Sequence, residues 1–155
     1  MRTTLILGIG NNLLSDEGVG VHVVRHLADK HADSPGVTYL DGGTLSFTLA
    51  EPIAEHDNLI VVDAARLGEP PGTYRCFEGT EMDRYLTGNR ASVHEVGLVD
   101  LFDISRLSGT FPENRALIGI EPAALGWGDF PTPPVAAAIA PVAELALQLA
   151  ARWRQ

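Results

Sequence analysis

The sequence predicts an α/β fold: one parallel-rich sheet covered by helices on both faces. Three observations predict it. Short apolar runs alternate with stretches of helical periodicity along the whole chain, the pattern of strand–helix–strand units. The run Asn58–Asp63 (NLIVVD) is apolar without alternation, as expected of a central strand buried on both faces. The run Leu5-Ile6-Leu7 ends in Gly8-Ile9-Gly10 and leads into a helical pattern, which is the loop where open α/β sheets take their ligands.

Each element follows from local pattern. Thr3–Ile9 reads as a buried strand ended by glycine, and Ser15 or Asp16 can cap the helix that follows. In that helix Val19, Val23 and Leu27 recur at four-residue steps and form an inward stripe. Glu17 then falls in the first turn, where the helix dipole favours a carboxylate. Val37–Leu40 is a short strand closed by Asp41-Gly42-Gly43-Thr44. Leu45, Leu49 and Ile53 predict a helix that Pro52 must bend or interrupt. After the strand ending on Asp63 comes a Pro/Gly loop at 66–72, then an edge strand at Thr73–Phe77. Glu78–Ala91 reads as a polar, irregular rim. Ser92-Val93-His94-Glu95 matches the capping box, and Leu98, Leu101 and Phe102 give the next helix its apolar face, with Gly109 as its stop. Arg115–Ile120 is a further strand. Thr132-Pro133 opens the last helix in the favoured order of cap and proline. Its stripe is Val135, Ile139, Val142, Ala146, Leu149 and Trp153, with a kink expected at Pro141. No repeat or linker divides residues 1–155, which read as a single domain.

The bulk numbers exclude several classes of function. With 11 basic and 20 acidic residues the formal net charge is -9, a field that repels nucleic acid and anionic membrane surfaces. One cysteine, Cys76, forms no internal disulfide, which favours a reducing, cytoplasmic setting. Leu5–Ile9 is too short for a signal-peptide core, and no apolar run reads as membrane-spanning.

Among candidate sites, a dinucleotide fold at Gly8-x-Gly10 lacks its third glycine, since position 13 is Leu13. Asp16 and Glu17 would also repel a pyrophosphate. The crossover rule instead brings the ends of the first and third strands together, with Glu17 beside Asp63 and the His94 loop able to fold over them. Two carboxylates and an imidazole suit a borderline divalent ion such as nickel, zinc or manganese and leave coordination positions for a substrate group. The same residues also admit structural readings: a dipole partner for Glu17, a strand-end turn for Asp63, a surface histidine for His94. His22 and His26 stand at i, i+4 without the glutamate of H-E-x-x-H and read as a solvated face. Cys76 has no histidine near it in sequence and reads as an inert thiol. No Gly-x-Ser-x-Gly elbow is present.

GIGNNLLSDEGVG near the N-terminus, DGGT at 41–44, VVDA at 61–64, SVHEVG at 92–97 and IGIEP at 118–122 together resemble the hydrogenase maturation endopeptidases. The resemblance spans nearly the whole chain. It implies a three-layer α/β/α sandwich around about five mostly parallel strands, a size in the usual range. It further implies that Glu17, Asp63 and His94 bind nickel carried by a nickel–iron hydrogenase large-subunit precursor. The enzyme would then cut off the precursor's C-terminal extension. Asp41 is similar to a family aspartate at the same cleft that acts on water or substrate. No nucleotide cofactor, nucleic acid or membrane partner is implied, and the family precedent is a monomer. A nickel-sensing chaperone and a nucleotide-binding module are the rival readings.

Overall fold

The computed structural model describes residues 2–88 and 93–154, with side chains in the fourth helix described from Gly97 onward. Five strands form one sheet: β1 (Thr4–Ile9), β2 (Val37–Gly43), β3 (Asn58–Ala64), β4 (Tyr74–Glu78) and β5 (Asn114–Ile120). They lie in the order β2-β1-β3-β5-β4. All neighbours are parallel except β4, which runs antiparallel along β5 as an edge strand. Among the described residues six helices cover the sheet: α1 (Val19–Lys30), α2 (Ala50–Ala54), α3 (Thr80–Gly88), α4 (Val93–Leu107), α5 (Pro133–Ala136) and α6 (Ile139–Trp153).

Strand alternation sorts the core into two layers, because successive side chains point to opposite faces. Ile6, Ile60, Val62, Ile118 and Ile120 pack with Val19, Val23 and Leu27 of α1 and Val142, Ala146 and Leu149 of α6. Leu5, Leu7, Leu59, Val61 and Leu117 pack with Ile53, Met82, Leu86, Leu98, Leu101 and Phe102 from α2, α3 and α4. The result is the α/β/α sandwich. Register is fixed at the amino edge by a polar ladder: Thr4, Asn58 and Asn114 are cross-strand neighbours. Asn58 there donates to the Thr4 hydroxyl at 3.2 Å and accepts from the Asn114 amide at 3.0 Å.

Several expectations are corrected. The expected irregular rim is helical as far as Gly88, with its remainder outside the described residues: α3 forms there because Met82 and Leu86, one turn apart, both reach the core. Arg115 fastens this helix to β5, donating from Nε to Asp83 Oδ1 at 2.9 Å and from Nη2 to Oδ2 at 2.5 Å. Pro52 does not interrupt a helix begun at Leu45, because the helical path begins only at Phe47 and Pro52 falls in the first turn of α2. A missing N–H has no consequence there. The kink expected at Pro141 is present: the last helix breaks at Ala137 and Ala138, between α5 and α6, and Ala137 is the residue four before Pro141 whose carbonyl the proline ring displaces. Pro133–Trp153 is, at 21 residues, long and apolar enough to cross a membrane, against the expectation that no run is; its stripe is nevertheless committed to the core against α1. The capping box begins at Ser92, which lies outside the described residues. The helix it was expected to open does begin at Val93, and its face Leu98, Leu101 and Phe102 is buried.

Candidate active site

The chain leaves β1 through α1 on one face and leaves β3 toward α3 and α4 on the other. That divergence makes the carboxyl ends of β1 and β3 a topological switch point, where open α/β sheets form their crevice. Glycine lets α1 close over it. A Cβ on Gly20 would strike the carbonyl oxygen of Val62, and one on Gly8 would strike the carbonyl of Gly20. The glycines of the first loop therefore serve close backbone approach.

Between β1 and α1 lies a 3-10 turn, Ser15–Gly18, packed against β3. Glu17 stands on it, half-buried, and its Oε2 accepts the Asn11 N–H at 2.8 Å. Asp63, only 4% exposed, is the penultimate residue of β3, with Oδ1 accepting the Ala64 N–H at 2.8 Å. By alternation its carboxylate belongs to the face of Val61, the side covered by α4. Gly97 of α4 approaches Leu45, just beyond β2, so α4 starts at this same carboxyl edge. His94 lies in the first turn of α4, and its side chain is outside the described residues. Among the described residues no three of His, Cys, Asp and Glu converge as a metal-holding group.

Asp41 occupies β2 opposite Gly8. Alternation puts it with Val37 and Tyr39 on the α1 face, across the sheet from Asp63. Its Oδ1 accepts the Gly43 N–H at 2.9 Å, and its Oδ2 lies 3.8 Å from Arg25 of α1. On the α4 side a cavity of about 290 Å³ opens between Leu45, Ser46, Phe47, Gly97, Asp100 and Leu101.

Comparison with known proteins decides the family. The family model described as hydrogenase maturation protease matches residues 21–149. The chain belongs to the hydrogenase maturation protease family. It is 39% identical over 150 residues to the hydrogenase expression/formation protein HupD of Bradyrhizobium diazoefficiens, covering 96% of this chain and 78% of that one. It is 37% identical over 144 residues to the hydrogenase 2 maturation protease of Escherichia coli, covering 92% and 87%. Among solved structures, the hydrogenase maturating endopeptidase HybD of E. coli superposes with a TM-score of 0.86 at 37% identity, over 94% of this chain and 90% of that one. HybD of Thermococcus kodakarensis gives 0.83 at 29% identity, over 97% and 99%.

Within this protease two buried carboxylates hold the crevice in shape, and neither function is evident from the sequence. Asp16 has no exposed surface. Rather than capping α1, it gathers the loop after β5: Oδ2 accepts from Ala123 N at 2.7 Å and Ala124 N at 2.9 Å, and Oδ1 from Thr132 N at 2.6 Å. The Thr132 hydroxyl donates to it as well, at 2.8 Å to Oδ2, and so does not cap α5. Burial pushes the Asp16 carboxyl upward. The N–H groups of Ala124, Thr132 and Ala123 and the Thr132 hydroxyl outweigh that push and hold it below the usual carboxylate range. Ser15 beside it takes a left-handed conformation, φ 51°, a strain sustained only where surrounding structure fixes the turn. Its N–H donates to the Gly128 carbonyl at 2.7 Å. Glu121, 6% exposed, does the same for the loop after Asp63, with Oε1 accepting Leu67 N at 2.7 Å and Glu69 N at 3.0 Å. The only sequence signal was an acidic residue beside each motif. A carboxylate that accepts from backbone amides far away in the chain has no periodicity to betray it.

Cys76 is half-buried, and its thiol is pushed up to about 11 by burial, with Glu78 adding to the push and Arg152 opposing it. That agrees with an inert thiol. His22 stacks on Phe130 with ring centroids 5.6 Å apart. Burial, with Arg25 nearby, holds it below the usual histidine range, and its Nε2 has no hydrogen-bond partner among the described residues.

Proposed function

We propose that this protease removes the C-terminal extension of a nickel-loaded nickel–iron hydrogenase large-subunit precursor and reads the nickel through Glu17, Asp63 and His94. One observation carries the reading: the Glu17 turn packs on β3, whose last residues hold the buried Asp63, at the sheet's switch point. The start of α4 at the same edge supports His94 as third donor. Nickel arrives as part of the substrate. Two carboxylates and an imidazole suit a borderline divalent ion, and the precursor's own ligands complete its coordination.

Gripping the ion fixes the adjacent peptide bond at the crevice, and that positioning is the protein's main contribution to rate. Hydrolysis then adds water across the scissile amide. A carboxylate accepts the proton from the attacking water, and the departing amine is protonated as it leaves. Asp41, which accepts from Gly43 and pairs with Arg25 on the α1 face, lies across the sheet from Asp63, so the carboxylate that takes the water's proton is drawn from Glu17 and Asp63. The cavity beside Leu45 and Gly97 has room for side chains of the peptide. We place the enzyme in the cytoplasm as a monomer that engages its substrate transiently.

The test is a mass-spectrometric cleavage assay on nickel-loaded and nickel-free precursor. The expected result is loss of a C-terminal peptide from the loaded form alone. Cleavage of both forms removes the nickel checkpoint, and cleavage of neither favours a chaperone that binds without cutting. His94→Ala is expected to abolish processing with far-UV circular dichroism unchanged, and normal processing by it sinks the ligand assignment.

A further inference from the structure

The loop that Asp16 gathers carries the chain's least expected surface. Trp127 is 84% exposed, Phe130 72% and Leu125 40%. Leu13, 55% exposed, joins them: its carbonyl accepts the Gly128 N–H at 2.9 Å, and Leu14 bridges to Gly128. Four large apolar side chains thus share one edge of a protein that otherwise carries a net charge of -9. Large exposed apolar side chains gathered on one segment, rather than scattered singly, are what an interaction site presents.

The wall is also held rigidly. Asp16, Ser15 and Leu13 bind residues 123–132 through at least seven hydrogen bonds to backbone or side chain. The ring of Phe130 rests on His22. Anchoring apolar side chains outward by a buried carboxylate makes sense only if they meet something, since a fixed conformation lowers the ordering cost of binding. The anchor is the residue immediately before Glu17, so the wall is joined directly to the turn that bears the crevice carboxylate.

We propose that Leu13, Leu125, Trp127 and Phe130 form the docking surface for the folded hydrogenase precursor, with Trp127 as its central anchor. This rests on the reading of Glu17 and Asp63 as the precursor-facing site. The occupant follows from continuity: the wall is hydrogen-bonded to the turn that bears Glu17, so the chain presenting the scissile bond there lies across it. Tryptophan is one of the residue types enriched among the hot spots near the centre of protein interfaces. The wall grips the precursor independently of nickel, and the crevice then tests for the ion.

Nickel-free precursor therefore isolates the wall. Its equilibrium binding to the full-length protease is measured for wild type, Trp127→Ala, Trp127→Phe and Glu17→Gln. The expected result is a Kd raised by about tenfold or more for Trp127→Ala, largely restored by Trp127→Phe and unchanged for Glu17→Gln. Cleavage of loaded precursor by Trp127→Ala should show the loss in KM rather than kcat. No measurable binding by wild type, or equal binding by Trp127→Ala, overturns the proposal. So does a Trp127→Ala effect confined to sedimentation of the protease alone, which makes the wall a contact between two copies. Normal cleavage by Glu17→Gln would instead refute the reading of the crevice.

Discussion

Replacing Asp16 with asparagine keeps the size of the side chain but removes its charge and turns one acceptor oxygen into a donor. In the native protein that carboxylate is fully buried and receives three backbone N–H groups and the Thr132 hydroxyl. Hydrogen bonds to a charged acceptor contribute about 1.5–3 kcal/mol each, and a buried donor left unpaired costs about 1–3 kcal/mol. Asparagine can still accept at one oxygen, so roughly half the network survives. The expected loss is about 2–4 kcal/mol, a large fraction of the roughly 5–15 kcal/mol that holds a domain together. With a urea dependence of about 1–3 kcal/mol/M, the unfolding midpoint should fall by roughly 1–2 M at pH 7. The effect has a pH signature. The folded carboxyl is held below its ordinary value, so its contribution is full above the unfolded carboxylate range and is lost as pH falls through the folded value. The gap between wild type and Asp16→Asn should therefore close in acid. A gap below about 0.5 kcal/mol at pH 7, or one that widens in acid, would refute the account of Asp16 as a charged acceptor.

Three further outcomes follow from the packing. Gly20→Ala pushes a methyl into the backbone of Val62 and Ile9; overpacking of this kind costs about 1–3 kcal/mol or more, read from urea melts, and Gly8→Ala should behave alike. Arg115→Lys loses the fork that grips both oxygens of Asp83 and the face of Phe111. It should lower stability by about 1–2 kcal/mol, with the earliest hydrogen-exchange change in α3. Cys76, with its thiol near 11, should alkylate at pH 8 about a hundredfold more slowly in the folded protein than in denaturant. Equal rates would show the thiol to be unburied.

The sequence by itself determined the strands and the two-sided helical cover. Apolar runs and four-residue stripes are local signals, and the burial they predict is found at Leu5–Leu7, Leu59–Val62, Val19, Val23, Leu27, Leu98 and Leu101. It also nominated Glu17 and Asp63, carboxylates in a helix's first turn and at a strand end, with His94 at a helix start, while Asp41 was nominated by the family resemblance alone. Helix α3 escaped notice, since two core residues in nine do not make a readable period. The break before Pro141 was legible, but the role of Pro52 was not, because its effect depends on where the first turn of α2 falls. Only the folded chain could show that Asp41 faces α1 while Asp63 belongs to the opposite layer, since sheet pairing decides which parity is which. Only it could show that Asp16 and Glu121 clamp the loops around the crevice. Those bonds join residues more than fifty positions apart, and such contacts leave no mark in the order of residues because they arise only when the sheet brings its carboxyl ends together.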